Sequence, residues 1–257
     1  MRTIFSILFF ITAFISNAQR TLFGGNNNYV APVAPPVVVT NGLILYLNAS
    51  SYSGAGTTWN DASTQNNTAT LVGSPTYISS PASFTFGPNV IATTTKSNVA
   101  LTTATFIAWV NPSQTQGGYT GVIFSRNGNG GSTVPATGLD LYTSNSVGYH
   151  WADHVSTYNW NSNLFVPNNV WSMIAITVSA NSATAFLCNA NGITTATNTF
   201  SHAALSGLNF FIANDPVFGA ANRAFTGKLA TAMVYSTALT SSEIASIFNA
   251  QKAAFGL

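Results

Sequence analysis

From Asn41 onward the chain is a succession of short hydrophobic runs. Some alternate apolar and polar residues and some are brief unbroken blocks, and clusters of Gly, Asn, Ser and Thr separate them. Residues 42–47, 83–86, 105–110, 121–125, 139–143, 171–178, 183–187, 208–213 and 228–235 read as β-strands, because the apolar period is two and the runs are too short for helices. Asn-Gly pairs at Asn41-Gly42, Asn127-Gly128 and Asn191-Gly192 mark turns between them. Many short strands at this spacing predict an all-β fold, a two-sheet antiparallel jelly-roll sandwich. One short C-terminal helix is predicted as well. Thr240-Ser241-Ser242-Glu243 has the form of a capping box, Ile244, Ile247 and Phe248 follow at helical spacing, and Gly256 stops the run.

The first 40 residues have a different texture. Arg2 precedes an apolar stretch from Ile4 to Ile15, and Ser16-Asn17-Ala18 offers a small-x-small cleavage pattern, so residues 1–18 read as a secretory signal peptide. The stretch is short for a membrane span, and membrane contact is expected only through this leader before cleavage. Residues 19–40 read as a linker, flexible at Gly24-Gly25-Asn26 and stiffened by Pro32, Pro35 and Pro36. The globular domain is expected over 41–257. The predicted location is outside the cell: secreted, at a cell surface or on a virion surface.

Composition narrows the function. Charged residues make up 5% of the chain, against roughly a quarter in ordinary soluble proteins, while 18 Phe, 9 Tyr and 5 Trp supply bulk. The basic residues are scattered and the net charge is +2, so no phosphate-neutralising stripe exists and nucleic acid is not an expected partner. A surface wetted by hydroxyls and amides suits sugar contacts, or packing against copies of itself as a homo-oligomer or larger assembly. Cys188 is the only cysteine and has no internal partner.

Four stretches carry a family resemblance. Gly42-Leu43-Ile44-Leu45-Tyr46-Leu47 leads into Gly56-Thr57-Thr58-Trp59-Asn60-Asp61. Phe106-Ile107-Ala108-Trp109-Val110 forms a second stretch, and Asn169 to Thr177 a third. Phe225-Thr226-Gly227-Lys228-Leu229-Ala230 through Tyr235 leads into Leu239-Thr240 and Glu243-Ile244. In this order they resemble the concanavalin A-like lectin/glucanase superfamily, in its laminin G-like jelly-roll branch, over most of residues 41–257. The resemblance implies a carbohydrate-associated or structural role. In that family, domains of this kind occur in secreted adhesins, in carbohydrate-binding parts of enzymes, and in virion proteins. It also implies calcium on acidic loops, but this chain has Ala230-Thr231-Ala232 and Phe86-Gly87-Pro88-Asn89 where relatives carry acidic residues. No cofactor is therefore expected beyond a single structural calcium, which Asp61, Asp140 or Asp215 could hold with backbone carbonyls.

The acidic residues are Asp61, Asp140, Asp153, Asp215 and Glu243, and the capping box claims Glu243. Asn60-Asp61 and Asn214-Asp215-Pro216 read as turns. Glycoside hydrolysis usually needs two carboxylates, so the shortage argues against an enzyme. His150 and His154, four apart beside Asp153, lie in a stretch that reads as strand and loop rather than a metal-binding helix. The richest segment is 148–161, where Tyr149, His150, Trp151, Asp153, His154, Tyr158 and Trp160 gather aromatic faces with polar groups. These seven are the candidate ligand-binding residues, for a glycan or surface polysaccharide. The expected function is a non-catalytic exported surface protein whose lectin-like domain recognises glycans. The alternative is a structural, self-assembling subunit of a virion, fibre or surface layer, and a glycosidase ranks third.

Overall fold

A computed structural model describes residues 39–96, 99–126, 136–215 and 223–257. The leader, nearly all of the linker and the Asn127-Gly128 turn lie outside the described residues. The strands run in order β1 (Leu43–Asn48), β2 (Thr58–Trp59), β3 (Ala69–Val72), β4 (Thr76–Ser79), β5 (Ala82–Phe86), β6 (Ile91–Thr94), β7 (Val99–Leu101), β8 (Ala104–Pro112) and β9 (Thr120–Ser125). They continue with β10 (Thr137–Leu141), β11 (Val147–His150), β12 (Ser172–Val178), β13 (Ala183–Asn189), β14 (Gly192–Asn198), β15 (Leu205–Leu208), β16 (Phe210–Ile212) and β17 (Gly227–Tyr235). A four-residue helix α1 (Val155–Tyr158) follows β11, and α2 (Ser241–Gln251) follows β17.

Two antiparallel sheets form the sandwich. Sheet A has the order β14-β13-β12-β8-β17-β5-β4, with β1 also on β17, and sheet B has the order β11-β10-β9-β16-β6-β3-β2. Alternation along the strands builds the layer between them. In β8, Phe106, Ala108 and Val110 face the inter-sheet core, where they join Ile174 and Ile176 of β12 and Leu139, Tyr149 and Phe210 of sheet B. The odd-numbered side chains of β8, Ile107 and Trp109, point out of the sandwich and are still buried, because α2 covers them. That double burial explains the unbroken apolar run in the sequence.

The capping box forms as the sequence predicts. The Thr240 hydroxyl accepts from the Glu243 backbone N–H at 3.3 Å, and Glu243 Oε2 accepts from the Thr240 N–H at 2.7 Å. Those contacts hold the Glu243 carboxyl below its ordinary pKa. Ile244, Ile247 and Phe248 then face the sheet. Trp109 stacks on Phe255 with ring centroids 4.0 Å apart and donates to Gln251 Oε1 at 2.6 Å. Cys188 lies in the same buried layer, where burial pushes its thiol up to about 12.

Strands β2, β3, β4, β6, β7, β11 and β14 had no counterpart among the strands expected from the hydrophobic pattern. β14 is the clearest case: Gly-Ile-Thr-Thr-Ala-Thr-Asn is exposed over most of its length and is held chiefly by its ladder to β13. Such an edge strand is specified by its hairpin turn at Asn191-Gly192, where Gly192 takes φ 105°, rather than by burial.

Candidate functional site

β11 divides its residues between two environments. Val147 and Tyr149 point into the sandwich, while Gly148 and His150 point out of sheet B on the same face as Asp140 of β10. His150 Nδ1 donates to Asp140 Oδ2 at 2.5 Å, and both side chains are almost fully buried. That bond fixes the imidazole's orientation and leaves Nε2 as its other proton site. Room for the Asp140 carboxylate comes from Gly148, since a Cβ there would sit 2.3 Å from Asp140 Oδ1.

The strand then turns sharply. Ala152 and Asp153 both take φ 54°, and the Asp153 N–H donates to Ala136 O at 3.0 Å. His154 caps α1 by accepting from the Ser156 N–H at 3.2 Å. The turn sends the Asp153 carboxylate back over the outer face of sheet B, where its side chain is 28% exposed.

Distant parts of the chain complete the site. Arg126, immediately after β9, donates from Nε and Nη2 to the two oxygens of Asp215, each at 3.0 Å. Its Nη1 lies 3.8 Å from Asp153 Oδ2. Arg223 Nη1 donates to Asp215 Oδ2 at 2.9 Å, and its guanidinium lies 5.1 Å from the Tyr119 ring centre. Asp215 is fully buried, so the carboxylate that the sequence placed in a turn holds two guanidinium groups instead. The Tyr158 ring stacks on His150 at 5.5 Å, and Tyr119 meets both rings edge-on. The Tyr119 hydroxyl, its pKa raised chiefly by burial, donates to Asn159 Oδ1 at 2.7 Å.

Tyr119, Arg126, His150, Asp153, Tyr158 and Arg223 thus line a pocket of about 210 Å³. Its backbone is unusual. Eleven non-glycine residues have positive φ among those described, and only Tyr119, Ala152 and Ala213 are neither Asn, Asp nor Ser. All three flank this pocket: Tyr119 lines it, Ala152 precedes Asp153, and Ala213 lies two residues before Asp215. Residues without a short polar side chain resist this conformation, and strain of this kind clusters at functional sites. A second pocket, of about 260 Å³ beneath the end of α2, is lined by Tyr46, Asn48, Gln251, Phe255 and neighbours and carries no carboxylate, imidazole or guanidinium.

The pocket takes in only part of the candidate set. His150, Asp153 and Tyr158 line it. Tyr149 and Trp151 belong to the core. Tyr149 bonds His202 Nε2 at 3.0 Å, with its phenol raised by burial, and Trp151 donates to Ala203 O at 2.7 Å. Trp160 is half-buried, with its ring edge-on to Tyr149, and His154 packs on Phe200 at 4.4 Å. Tyr119, Arg126 and Arg223 were missed. No local motif marks them, and only the scarcity of Arg in this chain could have drawn attention to the last two. Asp61 is occupied by its own turn, accepting from the N–H groups of Tyr46, Ser63 and Asn67. Among the described residues no group of three or more His, Cys, Asp or Glu is placed to hold a metal ion.

Comparison with known proteins gives the context. Domain 4 of AbnA, a GH43 extracellular arabinanase from Geobacillus stearothermophilus solved with arabinotriose, superposes with TM-score 0.56 at 14% identity, covering 81% of this chain and 99% of that one. Trypanosoma rangeli sialidase, solved as its covalent intermediate with 2,3-difluorosialic acid, gives TM-score 0.60 at 17% identity over 88% of this chain. A GH54 α-L-arabinofuranosidase gives 0.57 at 10% identity over 85% of it. The chain spans 37% of the sialidase and 60% of the arabinofuranosidase. No curated protein sequence matches the chain.

These neighbours correct two expectations. A non-catalytic surface lectin or structural subunit, and the judgement that the chain is not an enzyme, give way to a fold whose solved neighbours are glycoside hydrolases. The error was physical: a low average carboxylate count was taken for a low local one, whereas three of the five acidic residues gather at one pocket, Asp153 on its wall and Asp140 and Asp215 buried behind His150 and the arginines. The fold is shared with proteins solved in complex with sugars, arabinotriose in one and 2,3-difluorosialic acid in another. The model of the concanavalin A-like lectin/glucanase superfamily, Laminin_G_3, matches residues 86–245, and the chain belongs to that superfamily.

Proposed function

We propose that this chain is a glycosidase-type domain and that the Tyr119–His150–Tyr158 pocket is where it takes carbohydrate. The observation that carries this reading is the convergence on one strained pocket of a solvent-reached carboxylate, Asp153, an oriented imidazole, His150, and two tyrosine rings. Sugar hydroxyls need partners that both accept and donate, which Asp153 and the two arginines supply. Sugar C–H faces pack on aromatic rings, which Tyr119 and Tyr158 supply. In hydrolysis Asp153 and His150 are the two groups able to move a proton at the pocket wall, and Asp140 positions the second of them. The leader-like residues 1–18 support action outside the cell, and a mature N-terminus at Gln19 in the exported protein would establish it.

The test is product release from arabino-oligosaccharides, an aryl α-L-arabinofuranoside and sialosides by the full chain, alongside Asp153→Asn and His150→Gln. Release by the unaltered chain is expected to fall about 10²- to 10⁴-fold in each variant, while the circular dichroism spectrum is retained. A chain that neither cleaves nor binds any of these sugars, or variants with unchanged rates, would overturn the reading.

A further inference from the structure

Two arginines at a sugar pocket suggest an anionic ligand, as in recognition of a carboxylated sugar. The charge balance points the other way. Each guanidinium is already matched to a carboxylate: Arg126 bridges Asp215 and Asp153, and Arg223 shares Asp215. Asp140 adds a third carboxylate behind His150. Counted together, these groups come to zero if both ring nitrogens of His150 are protonated and to minus one if only one is. The neighbouring sequence adds nothing to this count, since segments 127–135 and 216–222, which continue the chain from Arg126 and Asp215, contain no Asp, Glu, Lys, Arg or His.

From this balance we infer that the pocket selects neutral sugar residues, pentoses or hexoses, and discriminates against uronic and sialic acids. The inference rests on the reading of this pocket as a carbohydrate site. A neutral sugar needs both donors and acceptors and finds both. A sugar carboxylate would be set beside Asp153 with no net positive charge to offset it, and like-charge juxtaposition is a common means of rejecting a wrong partner. The neighbours include sugars of both classes, arabinotriose in one and sialic acid derivatives in another, so the fold does not decide the matter. The charges in this pocket do.

The experiment is titration calorimetry of the full chain with matched pairs, lactose against 3′-sialyllactose and arabinotriose against trigalacturonate. The neutral member of at least one pair is expected to bind, with its acidic counterpart about 10-fold weaker or worse. Asp153→Asn removes one negative charge and is expected to narrow that gap, while Arg223→Gln is expected to widen it. Acidic sugars that bind as tightly as their neutral partners would overturn the inference and leave the carbohydrate site standing. If no sugar of either class binds, the site reading falls and the inference falls with it.

Discussion

The outer faces of the two sheets are closed in opposite ways. On sheet A, α2 lays Ile244, Ile247 and Phe248 over Ile107, Trp109 and Met173, and the layer contains no ion pair among the described residues. On sheet B, at β9 to β11, Arg126, Asp140, Asp153, Asp215 and Arg223 crowd around His150, and the backbone is strained on three sides. The first face gains stability from every contact it buries. The second gathers half of the chain's few described charges in one place, which stability alone does not require, because apolar residues of similar volume would hold a fold as well or better. Charge concentration in a charge-poor chain therefore separates the site from the scaffold more sharply than shape does.

The largest expected effect that tests this contrast is at Asp215. Asp215→Ala leaves two guanidinium groups facing one another and is expected to cost about 3–5 kcal/mol in denaturant unfolding. The volume-conserving Ile247→Leu on the other face should cost less than about 1.5 kcal/mol. Equal losses would mean that the two faces are built alike.

A smaller effect of opposite sign is expected at the strained turn. Glycine adopts φ near +54° without penalty, so Ala152→Gly should stabilise the domain by up to about 1 kcal/mol while weakening sugar binding through a looser Asp153. Lower stability in this variant would show that the turn is not strained.

The smallest effect lies in the scaffold. Thr240→Ala should cost about 1 kcal/mol at neutral pH. The cap holds the Glu243 carboxyl below its ordinary pKa, so its contribution is present above the usual carboxylate range and is lost as the solution is acidified through the lowered value. The difference in melting temperature between this variant and the unaltered chain should therefore shrink in acid. A gap that stays constant would exclude Glu243 from the cap's energetics.

The same contrast explains what could be read from the sequence. The sheet A face was legible because its signals are local: a capping box spans four residues, a helical stripe spans five, and β8, β12 and β17 are long apolar runs. The short polar strands were not legible, since β4 and β14 owe their conformation to a partner strand rather than to their own burial. The site was half legible. The segment 148–161 stood out by composition, but the pattern did not decide which of its side chains face outward. That depends on the register of β11 against β10, which sends Tyr149 inward and His150 outward. Tyr119, Arg126 and Arg223 come from positions up to about a hundred residues apart, and only the fold brings them together.

The alternation in β11 also constrains how this protein can change over evolutionary time. Tyr149, His150 and Trp151 are consecutive, yet the two rings anchor the interior and the imidazole serves the pocket. Inserting or deleting a single residue upstream in the strand would exchange those assignments, driving the imidazole into the interior and a ring into the pocket. Descendants of this chain can therefore alter the pocket by substitution, or by lengthening the loops that feed it, but indels within β11 are closed to them. Among diverged copies, constant length from Val147 to Asp153 should outlast identity at His150 or Asp153.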